Sequence, residues 1–474
     1  LIALVNAAIW AAVVPPFQVP DETFHFAYAQ YLAETGRPPP QGPGNPYSRQ
    51  EQVAVHKLWF FSVLGHPEQR AILTAPEDRE LHAALGHGDP RGSGGASSAS
   101  NQPPLYYGIE AVAYLLTPSG NILARLALMR LVSALMAAAT VLAIFLFLRE
   151  LMPRSPWTWT VGALAVAFQP MFNFIAAGVQ VDNLLFLASA ATFLVLLRAY
   201  RRGLTLRRGV LLGAVVATGL LAKLTFLAVV PGVVLALLLL AWRARGDGGR
   251  RVARALGAAV AVAALPVALY ALLNVAVWHR GGPAGGGLAE VASNPVVHGG
   301  AITTSETIEY IWQLYLPRLW FMAHSYFHGY PLWRTWFDGT IGHFGWLDYW
   351  FPAWVYDAAR YLLYALVPLA VVGVARLRRE VRAVLPIFAC FAVMAAGLLI
   401  AIGYAGIRFR VATGNQFEQA RYLFPLLTFY ALFVVLAARG AGRRWAPALG
   451  AALAVLAMAH GLFAETLTIS RYYG

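Results

Sequence analysis

About eleven times along its 474 residues, this chain turns apolar for close to the ~20 positions that a helix needs to cross a bilayer. That pattern leaves little choice of architecture. In lipid every backbone N–H and C=O must be satisfied inside the segment or in a closed barrel, so long apolar runs fold as α-helices. The runs fall at 1–14, 121–149, 157–176, 182–199, 209–222, 224–242, 252–278, 357–374, 381–404, 421–438 and 445–463. With 59% hydrophobic and 12% charged residues, the chain is too apolar for an ordinary soluble enzyme. The expected fold is an all-α polytopic membrane protein, a single transmembrane domain over 1–474. Two long polar excursions, 15–104 and 279–356, carry short amphipathic helices.

The net charge of +14 invites a nucleic-acid reading, but its distribution argues against one. Only Lys57 and Lys223 are lysines; the arginines gather in short loops, as at Arg198, Arg201, Arg202, Arg207 and Arg208. Further clusters are Arg243 to Arg254, Arg376 to Arg382, and Arg439 with Arg443 and Arg444. Alternating the spans puts all of them on one side, accompanied by only Glu150, Asp247 and Glu380. By the positive-inside rule that side is cytoplasmic, and both long excursions face outward. The short arginine-rich loops hold no phosphate-cradling or dinucleotide-binding motif, which argues against nucleotide chemistry there. The single cysteine, Cys390, rules out an internal disulfide and reads as a small core residue. No cleavable signal peptide is evident, and a short first run without Met leaves room for residues before Leu1.

The outward stretch richest in chemistry is PPFQVPDETFHF, residues 15–26. Asp21 and Glu22 open a helix, where acids suit the positive dipole end; His25, Tyr28 and Leu32 follow at helical spacing, and Gly36 with Pro38 ends the run. Two carboxylates beside a membrane span are costly to place without purpose. The plain alternative is that Asp21 caps the helix while Glu22 is solvated. Lys223 sits in a tight outward turn between two apolar spans, where it can meet a lipid phosphate or snorkel to the interface. Arg421 starts a span on the same face, as a partner to that phosphate or as an interfacial anchor. Asp182, with Asn183, starts another and can pair with a cation, bind sugar hydroxyls or cap its helix. His324, His328 and His343 offer weak grounds for a metal site, since supporting carboxylates lack clear spacing, and no metal or other cofactor is expected. The aromatic run 312–354 reads as an interface belt and a wall for sugar stacking, and 86–100 as an unconstrained loop.

A first transmembrane helix followed by an outward loop with an early acidic motif resembles the GT-C membrane glycosyltransferases. Several ordered motifs resemble the branch known only as membrane proteins of unknown function. They are PPFQVPDETFHF at 15–26, NQPPLYY at 101–107, QPMFNFIAAGVQVDN at 169–183, LAKLTF at 221–226, GHFGWLDYWFP at 342–352 and QARYLFPLL at 419–427. Ala420 departs from the glycine usual before Arg-Tyr. The resemblance implies a sugar donor on a polyprenyl phosphate and an acceptor outside the cytoplasm: an envelope polysaccharide, a glycolipid or a protein. It implies Asp21 as general base with Glu22 assisting, Lys223 and Arg421 on the donor phosphate, and His25, Gln102, Asp182, Asn183 and Tyr422 toward substrate. One carboxylate suffices for an inverting displacement, the expected outcome. Partners are then the donor, the acceptor and membrane lipids, without nucleic acid; the place is a cell membrane, bacterial by the Ala/Arg/Gly-rich composition. Rival expectations are a transporter or flippase of lipid-linked sugars, which needs no base, and a non-catalytic envelope-assembly protein.

Overall fold

The structure, a computed structural model, describes residues 1–42, 44–86, 94–117, 121–244, 249–280, 302–327, 329–416 and 418–474. The described residues form helices almost throughout, with one antiparallel hairpin pairing His343 with Trp350 and Phe344 with Tyr349. Among the described residues, eight helices are long and apolar enough to cross a membrane, or nine if the pair Pro156–Ala167 and Pro170–Ala176 counts as one span. The expectation of about eleven is not confirmed. Three of its runs fold differently: Ile2–Val13 has 12 residues and Leu206–Ala222 has 17, while the proline pair is bent by 61°. An apolar run reports composition, whereas the length of straight helix depends on where turns and prolines break it.

At the centre stands Asp182–Arg202, buried over most of its length, whereas Gly249–Ala276 is largely exposed at the periphery. Since lipid tails match leucine in polarity, close backbone packing replaces the hydrophobic drive that joins helices in water. Gly209 and Gly213, one turn apart, face the carbonyls of Ala255 and Ala259, which any Cβ there would strike. The same device is reciprocal at Gly373 and Gly440, against Leu436 and Leu369.

The charged ends sort by face. Glu150 pairs with Arg202 at 2.6 Å and Arg198 at 3.6 Å. Tyr200 donates to the Ala383 carbonyl at 3.1 Å and carries Arg243 over its ring, so the arginine-rich ends of several helices share one face. The first excursion is folded. Glu22–Thr35, Arg49–Lys57, Ala75–Gly86 and Leu105–Leu115 bury Phe26, Tyr28, Tyr106, Tyr107 and Tyr114 in a core shared with Leu126 and Met129 of Ile122–Leu151 and with Val179 and Leu184. Within this excursion, Arg49–Lys57 and Phe60–Val63 are two short helices broken at Trp59. Part of the loop read at 86–100, and His328 and Asp247, lie outside the described residues.

Candidate functional site

The site begins with the turn between the first helix and Glu22–Thr35. Pro15 and Pro16 stiffen it, while Phe17 (φ 67°) and Asp21 (φ 64°) adopt the left-handed conformation. Aspartate tolerates that region; phenylalanine is strained there and is held by complete burial with its ring edge-on to Phe26. Arg130, from Ile122–Leu151, donates to the carbonyls of Val14 at 2.6 Å and Pro15 at 2.8 Å. Gln180 holds the Pro20 carbonyl at 2.9 Å.

From this turn the two acids diverge. Glu22 is fully buried and takes a two-pronged ion pair from Arg130, at 2.8 Å from Nε and 2.6 Å from Nη2. Its Oε1 also accepts the Val179 N–H at 3.0 Å. Its lone pairs are engaged in fastening the turn to two other segments. Asp21 instead keeps its side chain 35% exposed and meets Arg421 Nη2 at 2.6 Å. It makes no capping hydrogen bond, so the capping alternative is not what this side chain does.

A second pair lies alongside. Lys223 Nζ contacts Asp182 Oδ1 at 2.6 Å, with Asp182 almost wholly buried, so Lys223 is paired within the protein and Asp182 makes no cap. Tyr422 joins the two pairs: Lys223 Nζ lies 5.7 Å, and the Arg421 guanidinium 5.4 Å, from its ring centroid. Lys223, Arg421, Asp21, Asp182 and Tyr422 thus come together from four distant parts of the chain. His25 shares a 2.8 Å hydrogen bond with the Tyr107 hydroxyl, and Tyr107 stacks on Tyr28 at 3.7 Å. Tyr28 donates to the Gln102 carbonyl at 3.2 Å, leaving Gln102 Oε1 without a hydrogen-bond partner among the described residues. Asn183 is buried and donates to the Gly178 carbonyl at 3.3 Å, which holds a turn.

Burial raises the Asp21 pKa, but the charge and hydrogen bond of Arg421, with the charge of Lys223, outweigh it and leave Asp21 below the usual carboxylate range. Asp21 is therefore ionised at neutral pH. Burial pushes His25 down to about 4, against the opposing charge of Asp21, so it is neutral there. Unfolded, His25 takes a proton near its ordinary 6.5; folded, only near 4. Between those values the unfolded chain binds more protons, and stability falls as pH drops from about 6.5 toward 4. His25→Gln should flatten that part of a plot of melting temperature against pH; an unchanged slope would remove His25 as its cause.

Beside Asp21 opens a cavity of about 170 Å³, bounded by Pro20, Arg334, His343, Gln419 and Arg421 among others. Arg421 Nε and Nη1 have no hydrogen-bond partner among the described residues, which leaves part of a buried guanidinium for an anion. Arg334 is exposed and forms no ion pair among the described residues. Sequence reasoning missed it, because within LWRTWF it read as part of an aromatic belt; a cation flanked by tryptophans was the available signal. Of the three histidines, His324 and His343 are among the described residues and His328 is not. His343 lines this cavity, while His324 lies 3.5 Å from Glu309 and 3.9 Å from Glu306. Among the described residues no three His, Cys, Asp or Glu side chains gather as ligands. Chemically, the assembly offers the ionised, partly exposed Asp21 carboxylate beside a cavity lined by Arg421, Arg334 and Glu418, with Lys223 held nearby by Asp182.

Residues 4–430 match the model of a family described as "Predicted membrane protein (DUF2142)". No curated protein and no solved structure matches the chain.

Proposed function

The chain belongs to the DUF2142 family of predicted membrane proteins, and from that premise we propose that it is a glycosyltransferase of the GT-C kind. The donor is a monosaccharide on a polyprenyl phosphate, and the acceptor is a hydroxyl of an envelope polysaccharide, glycolipid or protein. The site faces the extracytoplasmic side of a bacterial cell membrane. The observation that carries the reading is Asp21: ionised, partly exposed, and held by a locked turn beside a cavity walled by Arg421 and Arg334.

The reaction is a single displacement. The acceptor oxygen attacks the anomeric carbon, its proton passes to the Asp21 carboxylate, and the bond from that carbon to the phosphate oxygen breaks. Polyprenyl phosphate leaves with the bonding electrons, and the added charge falls on the cations. Arg421 has two roles in this scheme. Before the donor binds it neutralises Asp21, which lowers the basicity of that carboxylate. As the donor phosphate draws the guanidinium away, Asp21 becomes a better base, so the carboxylate is activated when the substrate arrives. Lys223 completes the phosphate cradle across Tyr422. Glu22 secures the turn and has no part in proton transfer. The proposal needs no metal or other cofactor.

The test is transfer by purified protein in lipid, offering radiolabelled polyprenyl-phosphate sugars in turn with crude envelope acceptor. Label reaching the acceptor supports the reading. Binding of a donor without transfer, or its movement across a sealed bilayer, would favour the transporter. Arg334→Ala is the cleaner probe of the phosphate cradle, because removing an exposed, unpaired cation leaves no buried charge behind. A lost charge-assisted hydrogen bond, worth about 1.5–3 kcal/mol, should raise the donor KM roughly tenfold or more with the acceptor KM unchanged. An unaltered donor KM would remove Arg334 from the site.

A further inference from the structure

On the same face as Asp21, the first excursion opens a larger cavity of about 540 Å³, lined by Trp59, Ser62, His66, Gln69, Arg70 and Ile72. Its floor is rigid. The Arg471 guanidinium takes the carbonyls of Val63 at 3.0 Å, His66 at 3.0 Å and Gln69 at 2.5 Å, and pairs with Asp348 at 2.8 Å. Both partners of that ion pair are buried. Arg471 stands near the end of Gly442–Tyr473, a 32-residue helix that starts at the arginine-rich face. At 1.5 Å per residue such a helix rises about 48 Å, well past the ~30 Å of hydrocarbon, so the groove lies beyond the apolar layer.

The floor is also tied to the candidate active site. Asp348 belongs to the hairpin turn whose Gly345 and Leu347 line the cavity beside Asp21. In the same turn, Trp346 packs edge-on against Phe60, next to Trp59. One short hairpin therefore walls the Asp21 cavity on one side and underpins the groove on the other.

The lining favours one ligand class. Trp59 is held at φ 54°, strained for a bulky residue, and leaves half of its surface exposed. Sugar rings offer apolar C–H faces to an aromatic surface and hydroxyl rims to planar polar groups. Here Gln69 lines the groove with His66, which pairs with Glu68 at 3.1 Å, and Arg70, which holds the Pro67 carbonyl at 3.0 Å. A groove for a lipid tail would lack that polar rim. We infer that this groove binds the carbohydrate part of the acceptor, resting on the glycosyl-transfer reading, and that the 343–350 hairpin sets its distance from Asp21.

The test uses the full chain in phosphatidylcholine nanodiscs, probed with an array of soluble oligosaccharides from bacterial envelopes. Wild type and Asp21→Asn should retain the same oligosaccharide, Trp59→Ala should weaken it at least tenfold, and Trp59→Tyr should restore most of it. In transfer, Trp59→Ala should raise the acceptor KM and leave the donor KM alone. Retention that ignores Trp59, or no retention at millimolar oligosaccharide, overturns the proposal. So does a Trp59→Ala effect confined to the lipid dependence of thermal stability, which would make Trp59 a headgroup anchor. Groove binding with no transfer from any donor would retire the transferase reading and keep the groove. Transfer with an acceptor KM indifferent to Trp59 would do the reverse.

Discussion

Asp21→Asn should reduce transfer by roughly 10²–10⁴-fold, the usual worth of a positioned general base, while leaving the protein folded and able to bind donor. The substitution is close to isosteric. Asparagine tolerates the left-handed backbone that position 21 adopts (φ 64°), and its carbonyl oxygen can still accept from Arg421. What it lacks is a lone pair basic enough to hold a proton. A melting temperature near that of wild type, measured beside activity, separates lost chemistry from lost structure. Near-normal transfer by Asp21→Asn would end the assignment. The pairing also has a signature in the pH profile of kcat/KM. Because the charge of Arg421 helps to hold Asp21 below the usual carboxylate range, Arg421→Gln should move the acid limb to higher pH. A limb that stays in place would show that the titrating group is not Asp21.

The second large effect belongs to Glu22, through stability. Glu22→Ala leaves Arg130 buried without its counter-charge, and breaking a buried pair in this way costs about 3–5 kcal/mol. The Val179 N–H loses its acceptor as well. A large fall in melting temperature in detergent should result, with lost activity following lost folded protein. The double variant Glu22→Leu with Arg130→Met should recover only part of the loss, because the carbonyls of Ala11, Val14 and Pro15 would remain without their donor. If Glu22→Ala melts like wild type yet transfers no sugar, Glu22 is chemical and its structural assignment fails.

Asp21 and Glu22 are adjacent in sequence and alike in chemistry, and nothing in the sequence marked Glu22 as the buried partner of Arg130. A left-handed residue at the helix entrance leaves Asp21 partly exposed against Arg421 and turns Glu22 into the protein. The remaining partners are even less legible, since Asp182 meets Lys223 across 41 residues and Asp21 meets Arg421 across 400. Lys223 and Arg421 stood out because a cation at the start of an apolar span is expensive, and Asp182 because acids gather on that face. Arg334 and Trp59 did not stand out, for each lies among residues that a membrane interface would hold anyway.

Linear features were enough to specify a helical membrane protein with many apolar helices. Apolar length and charge asymmetry act segment by segment, in the lipid and at its two surfaces, and need no knowledge of neighbours. Folding settled which runs become straight long helices, which carboxylate is exposed, and which cations share one tyrosine. Those outcomes depend on backbone breaks and on contacts between distant segments, where a buried charge must find an opposite charge or pay the full penalty of leaving water.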